Sequence, residues 1–322
     1  MNLFRRGLVG LTFLSLAAGV CAQAYPSKPV RLVVSFAAGG GVDLMARLLA
    51  EQLSKQMGQT FIVDNRPGAS GSIGADAVAK SAPDGYTLLV GGNPELTFMP
   101  AVSDKLPYDP QRDLAPLVLV ANVPSVVVVH PGSGIQSMAQ LVERARGAKG
   151  LAYGTPGRGT PMHLALELMN VQQNLHFIHV PYKGGGPATV DVLSGQIEAA
   201  VINAPPLLTH IRSGKLRALA VMQGERSALL PDVPTLKEST GIDGILAPAW
   251  FGVSAPAKVS SDIRARLEQE IRRALAEPDL KAKLVGAGMD VVALPAARMA
   301  DVIAAEAAYN VSTIKRLGFK PD

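Results

Sequence analysis

One arrangement occurs twice in this chain, and it restricts the fold more than any other feature. The strand-like run VRLVVSF (30–36) passes through the glycine-rich turn Ala37-Ala38-Gly39-Gly40-Gly41 into a helix-period segment ending near Met57. Farther on, Leu151-Ala152-Tyr153 passes through a second glycine-rich turn, 154–160, into a helix opened by Pro161. A buried strand handed to a helix through glycine is the unit of α/β construction. In the first unit Leu44, Met45, Leu48, Leu49 and Leu53 form an apolar stripe, with Arg47, Glu51 and Lys55 at i, i+4 spacing on the wet face. Further strands are expected at 61–64, 86–90, 117–121, 125–129, 177–180, 197–201 and 216–221, with helices at 72–80 and 138–146 between them. The pattern predicts parallel α/β sheets and a mostly helical tail from Ser260, with helices starting at Ser261, Pro278 and Pro295. Two extended, proline-bearing segments, 116–124 and 248–256, suit crossings between two lobes. The expectation is an α/β, two-lobed fold with discontinuous domains: 25–121 plus 250–322 as lobe one and 122–249 as lobe two.

Composition narrows the function classes. A single cysteine, Cys21, excludes an intrachain disulfide framework, and five histidines leave little for a histidine-rich metal centre. The net charge of +5 comes from scattered basic residues in runs no longer than two, so no nucleic-acid partner is expected. At the start, Arg5 and Arg6 precede an apolar stretch, 7–20, and Ala22-Gln23-Ala24 places small residues at a signal-peptidase site. Residues 1–24 are read as a signal peptide cleaved before Tyr25. The apolar stretch is short for a membrane span of ~20 residues, and Val20 before Cys21 disfavours lipid attachment. The chain is therefore expected to be exported.

Enzyme signatures are missing. There is no G-x-S-x-G, no G-x-x-x-x-G-K-[ST] and no H-E-x-x-H. Gly154, Gly157 and Gly159 have the wrong spacing for G-x-G-x-x-G, and Gly68, Gly71 and Gly74 also miss it. His176 and His179, three apart in a strand, point to opposite faces and cannot chelate one ion together. His163, one turn into the Pro161 helix, is either support for a site or ordinary packing. The positive signal is the pair of glycine-rich turns at helix N-termini, where unpaired N–H groups and the helix dipole bind anions. Thr160 is also a good N-cap, which would engage its hydroxyl. Ligands of open α/β sheets collect at the carboxyl ends of strands, so the expected ligand is a small molecule with one or two carboxylates, held between lobes.

The chain resembles the Bug-type periplasmic solute receptors of tripartite tricarboxylate transporters over its whole length after residue 24. The carrying motifs are YPSKPVRLVVSFAAGGGVDLMARLLAEQL (25–53), DNRPGASGSIGADAVAKSAPDGYTLLVG (64–91), KLPYDPQRDLAPL (105–117), YGTPGRGTPMHLALEL (153–168), HVPYKGGGPATVDVLSGQIEAA (179–200), GKLRALAV (214–221), LPDVPT (230–235) and WFGVSAP (250–256). The resemblance implies a type II-like, Venus-flytrap periplasmic-binding-protein fold and a binding protein, not an enzyme, with no metal or cofactor. The implied partners are a small organic acid (a mono- or dicarboxylate, aromatic and amino acids included) and membrane permease subunits. It also implies that backbone amides of the first loop, Phe36, Ala37, Ala38, Gly39, Gly40, Val42 and Asp43, hold the carboxylate. The second loop would contribute Thr155, Gly157, Arg158, Thr160 and His163, with Gly92, Asn93 and Asn203 as further wall residues. Trp250 and Phe251 match an aromatic hinge, where one of them would serve the core or the ligand. Arg158 stands where Asn is common; it would meet a second carboxylate or point to solvent. Glu95 stands where small polar residues are common; facing the pocket, it would admit an amino or pyridinium group. Met162 replaces a small residue, and Arg66 anchors its own loop. A competing expectation is a ligand sensor signalling to a membrane kinase; an enzyme acting on a carboxylate is disfavoured, since no nucleophile–base pair is visible.

Overall fold

The computed structural model describes residues 25–103 and 105–317; the signal-peptide expectation lies outside them. The chain first lays down β1 (Val30–Val34), α1 (Gly41–Met57), β2 (Phe61–Asn65), α2 (Ser72–Ala79) and β3 (Thr87–Gly92). Residues alternate faces along β1, because strand side chains have a period of two. Leu32 and Val34 share one core with Met45, Leu49 and Leu53 of α1, while Val33 joins Leu89 on the opposite side. Helix α1 ends at Gly58, whose left-handed φ of 68° lets its N–H reach Ser54 O. A π-helical turn (Pro94–Phe98) and the short helices α3 (Met99–Val102) and α4 (Pro110–Asp113) lead into β4 (Leu114–Val123).

At Pro124 the chain changes sheet. It then forms β5 (Ser125–Val129), α5 (Met138–Arg146), β6 (Leu151–Thr155), α6 (Pro161–Gln173), β7 (Phe177–Pro181), α7 (Gly185–Leu193) and β8 (Ala199–Asn203). Next come α8 (Leu208–Arg212), β9 (Arg217–Val221) and α9 (Leu236–Thr240). The return is β10 (Ala249–Pro256), α10 (Ser261–Ala276), α11 (Pro278–Gly286), β11 (Asp290–Pro295) and α12 (Ala296–Leu317). The six-stranded sheet has the order β11-β4-β10-β3-β1-β2 and the five-stranded sheet β7-β6-β8-β5-β9. This is the two-lobed binding-protein architecture that the sequence implied. We propose the lobe division 25–121 plus 250–322 against 122–249 for this exchange, with β4 staying in the first sheet to Val123.

Two expectations are corrected. The sheets are mixed rather than parallel: β1 is parallel to β2 and β3, and β6 to β7 and β8, but β10 is antiparallel to both β3 and β4, and β5 to both β8 and β9. The segment 248–256 does more than cross: its last eight residues are the fully buried strand β10 in the middle of the first sheet. Small residues make that possible, since a Cβ on Gly252 would lie 2.7 Å from Met299 Cε and 3.0 Å from Val118 O. The tail is mostly helical, as expected, and it also supplies one strand, β11, which pairs antiparallel with β4 across an irregular register.

The topology repeats. β1-α1-β2-α2-β3 in lobe one matches β6-α6-β7-α7-β8 in lobe two, with the first strand central to the parallel trio in each. Four strand-to-helix loops therefore converge on the space between lobes.

Candidate functional site

The loops meet crosswise. The Ala37 N–H, after β1, donates to Lys183 O before α7 at 2.9 Å. Ser70 Oγ, before α2, donates to Arg158 O before α6. The β1–α1 loop thus meets the β7–α7 loop and the β2–α2 loop meets the β6–α6 loop, and the lobes are closed on each other. Glycine permits the contact: a Cβ on Gly186 would lie 2.4 Å from Ala38 O, and one on Gly184 3.1 Å from the Ala37 nitrogen. The triplet Gly184-Gly185-Gly186 was not among the sequence-predicted site residues. Its signal was available, since it has the same strand–glycine–helix pattern as residues 37–41.

Between these loops lies a narrow cavity of about 30 Å³. Of the expected residues, Phe36, Gly40 and Val42 line it from the first loop, and Gly92 and Asn93 from the end of β3. Thr160 and Asn203 line it from lobe two, together with Met162, Gly185 and Ile202, and Phe251 lines it from β10 of lobe one. The N–H groups of a helix's first turn have no partner within the helix. In α1 these belong to Gly41, Val42 and Asp43, and in α7 to Gly185 and Gly186, Pro187 having none; neither helix has a side-chain cap. The two N-termini face each other: a Cβ on Gly40 would lie 3.6 Å from Gly185 N and 3.7 Å from Gly186 N. Helix α6 offers less. Pro161 lacks an N–H, and the His163 N–H already donates to Thr160 Oγ1 at 3.4 Å. Two uncapped positive ends across a small cavity favour an anion between them.

The remaining expected residues lie elsewhere. Ala37, Ala38 and Gly39 form the seam between lobes. Asp43 is buried as a clamp: its Oδ2 accepts from Gly39 N–H (3.0 Å) and Arg47 Nε (3.1 Å), and its Oδ1 from Asn65 Nδ2 (2.9 Å). Burial raises its pKa, but the hydrogen bonds from Arg47, Gly39 and Asn65 outweigh that and leave it below the ordinary value. Gly157 and Arg158 line an outer groove of about 220 Å³ with Lys183. Thr155 is buried beneath the second loop, donating to Gly157 O (3.0 Å) and bonded to His179 Nε2 (2.7 Å). His163 stacks on His179 with ring centroids 3.8 Å apart, and its Nδ1 accepts from Gly159 N–H at 3.0 Å. Burial pushes His163 down to about 4 and His179 to about 3, aided for both by the Arg158 charge. His179 is therefore part of the floor of the second loop, a role its strand position did not announce. Trp250 belongs to the core, donating from Nε1 to Glu306 at 2.9 Å, while Phe251 faces the cavity.

Glu95 does not face the cavity. It is fully buried in lobe one, with Oε1 accepting from Ser35 Oγ (2.7 Å) and Gly92 N–H (2.9 Å), while Oε2 has no hydrogen-bond partner. Burial pushes its pKa up to about 7, against those two hydrogen bonds. The folded state holds this proton above the ordinary range, so its stabilisation is complete below the unfolded value and is lost as pH rises through about 7. Glu95→Gln removes that loss, worth on the order of 3 kcal/mol. The melting-temperature advantage of the variant over wild type is expected to be larger at pH 8 than at pH 5; an equal difference at both would refute this. The histidines act oppositely, weakening the fold as pH falls below 6.5 towards about 4.

Among the described residues there is no cluster of three metal-ligating side chains, and no helix is long and apolar enough to cross a membrane. Residues 45–319 match the model of the tripartite tricarboxylate transporter family receptor. Protein BugT of Bordetella pertussis is 40% identical over 266 residues, spanning 81% of this chain and 80% of that protein. The R. palustris protein Rpa4515, solved with adipate, superposes with a TM-score of 0.87 at 32% identity, over 92% of this chain and all of that one. MatC from Rhodopseudomonas palustris, solved with malate, gives 0.84 at 28% identity over 90% of this chain and all of that one. The chain belongs to the tripartite tricarboxylate transporter receptor family, whose members are periplasmic solute-binding proteins and not enzymes.

Proposed function

We propose that this receptor closes its two lobes on a carboxylate-bearing solute and delivers it to the permease of a tripartite tricarboxylate transporter. The observation that carries the reading is the pair of uncapped N-termini, α1 from lobe one and α7 from lobe two, facing each other across the cavity. A carboxylate bound there joins the lobes, because its two oxygens accept from both sides at once. Differential affinity for the closed form then drives closure. Relatives solved with adipate and malate support a carboxylate ligand. Small-angle scattering tests the account: the radius of gyration is expected to fall on saturation with a bound acid. An unchanged radius with ligand demonstrably bound would contradict it.

The exported form is expected to begin at Tyr25, cut after Ala22-Gln23-Ala24. Tyr25 is packed in place, its hydroxyl donating to Gly85 O at 2.6 Å. Intact mass of periplasmic material checks this, and a lipid adduct on Cys21 would overturn it.

A further inference from the structure

Apart from the backbone N–H groups, the cavity is walled by the side chains of Phe36, Val42, Met162, Ile202 and Phe251. Among the described residues, no Lys, Arg, His, Asp or Glu lines it. Its polar side chains are mostly engaged inside the protein. Asn93 Nδ2 donates to Pro248 O at 2.8 Å, and Thr160 Oγ1 donates to Gly157 O at 2.9 Å while capping α6. Among the described residues, the Asn203 side chain makes one long contact, Nδ2 donating to Ser125 Oγ at 3.5 Å. The nearby cations Arg158 and Lys183 line the outer groove instead. Phe36 and Pro156 border both spaces and so stand between them. The Ala37–Lys183 hydrogen bond and the approach of Gly184 to Phe36 close the seam beside that partition.

We propose that the solute of this receptor is a small monocarboxylic acid with an uncharged, apolar body. The carboxylate lies on the α1 and α7 amides, and the body lies against Phe36, Met162, Ile202 and Phe251. This rests on the carboxylate reading above and adds what the rest of the ligand must be. A second carboxylate or an ammonium enclosed by these walls loses its hydration and gains no counter-charge. An apolar body gains by leaving water. Asn203 leaves room for one neutral polar substituent, such as a hydroxyl or keto oxygen.

Isothermal titration of the mature protein, stripped of co-purified ligand by unfolding and refolding, tests this. The probes are propionate, butyrate and benzoate against succinate, adipate, malate and glutamate. Butyrate and succinate share a four-carbon chain and differ in the second carboxylate. The tightest monocarboxylate is expected to bind at least tenfold more tightly than any dicarboxylate or amino acid. Equal or tighter binding of a dicarboxylate overturns the proposal and leaves the carboxylate reading standing. If Arg158→Ala then removes that binding, the second carboxylate sits in the outer groove. Binding of none of the acids by cooperatively folding protein overturns both. Met162→Ala widens the cavity on a helix that tolerates alanine, and is expected to shift preference from butyrate towards benzoate by about tenfold. An unchanged ranking overturns the wall assignment.

Discussion

Gly186→Val is expected to weaken acid binding by at least ~100-fold, about 2.7 kcal/mol, while both lobes stay folded. The Cβ alone would lie 2.4 Å from Ala38 O and 3.1 Å from Gly39 C, so the α7 loop cannot approach the α1 loop with any side chain there. Both obstacles are backbone, which has no rotamer to yield. The cost falls on closure rather than on folding, because each lobe has its own core. Met45, Leu49 and Leu53 pack with β1 in lobe one, and Met162, Leu166 and Met169 pack with β6 in lobe two. Valine in a helix costs under ~1 kcal/mol by propensity. Titration calorimetry should show the loss, scattering should show no ligand-induced compaction, and thermal unfolding should remain cooperative. Wild-type affinity in this variant would mean that the lobes do not meet through this seam when ligand is bound.

A second large effect separates backbone recognition from a side-chain clamp. Gly40→Val is expected to abolish measurable binding, Gly40→Ala to have a milder effect, and Arg158→Ala to cost no more than about tenfold. Gly40 has φ −84° and ψ 171°, an extended conformation open to any residue, so the substitution brings no backbone strain. A single methyl there meets Gly185 N and Gly186 N at ordinary contact distances, 3.6 and 3.7 Å. The extra methyls of valine must occupy the space where the two N-termini meet. Hydrogen bonds to a charged group contribute ~1.5–3 kcal/mol each, so losing several at once exceeds anything one exposed arginine supplies. Arg158 lines the outer groove, not the cavity. Binding retained in Gly40→Val but lost in Arg158→Ala would reverse the assignment.

Elements whose signals are local could be read from residues alone. Helix α5 starts and stops where expected because Ser137 caps it, accepting from Gln140 N–H at 3.2 Å, and Arg144 and Arg146 suit its last turn. The same holds for α6, where Thr160 and Pro161 set the start. What escaped depends on partners distant in sequence. Ala249–Pro256 is a central strand only because β3 and β4 flank it, and its glycine, serine and proline read as a connector. Asp290–Pro295 has a broken register and half-exposed residues, so no clean alternation marks it. In the site, both glycine loops stood out, but the crosswise contact that brings in Gly184–Gly186 needs the second lobe folded against the first. Asp43 was legible as part of the first loop; that its carboxylate engages the Gly39 amide follows from where Arg47 and Asn65 fall around it. Glu95 stands at the start of the π-helical turn beside the cleft, and only the packing of Ser35 and Gly91 shows that it turns inward.

Central to the account is a carboxylate held by backbone N–H groups of two facing helices. Amide NMR of ¹⁵N-labelled mature protein, titrated with an acid that calorimetry shows to bind, observes those groups directly. The account predicts that Gly41, Val42, Gly185 and Gly186 show the largest downfield proton shifts, saturating together at the calorimetric stoichiometry. Unmoved amides at these four positions, with the main changes at the Arg158 guanidinium, would contradict it.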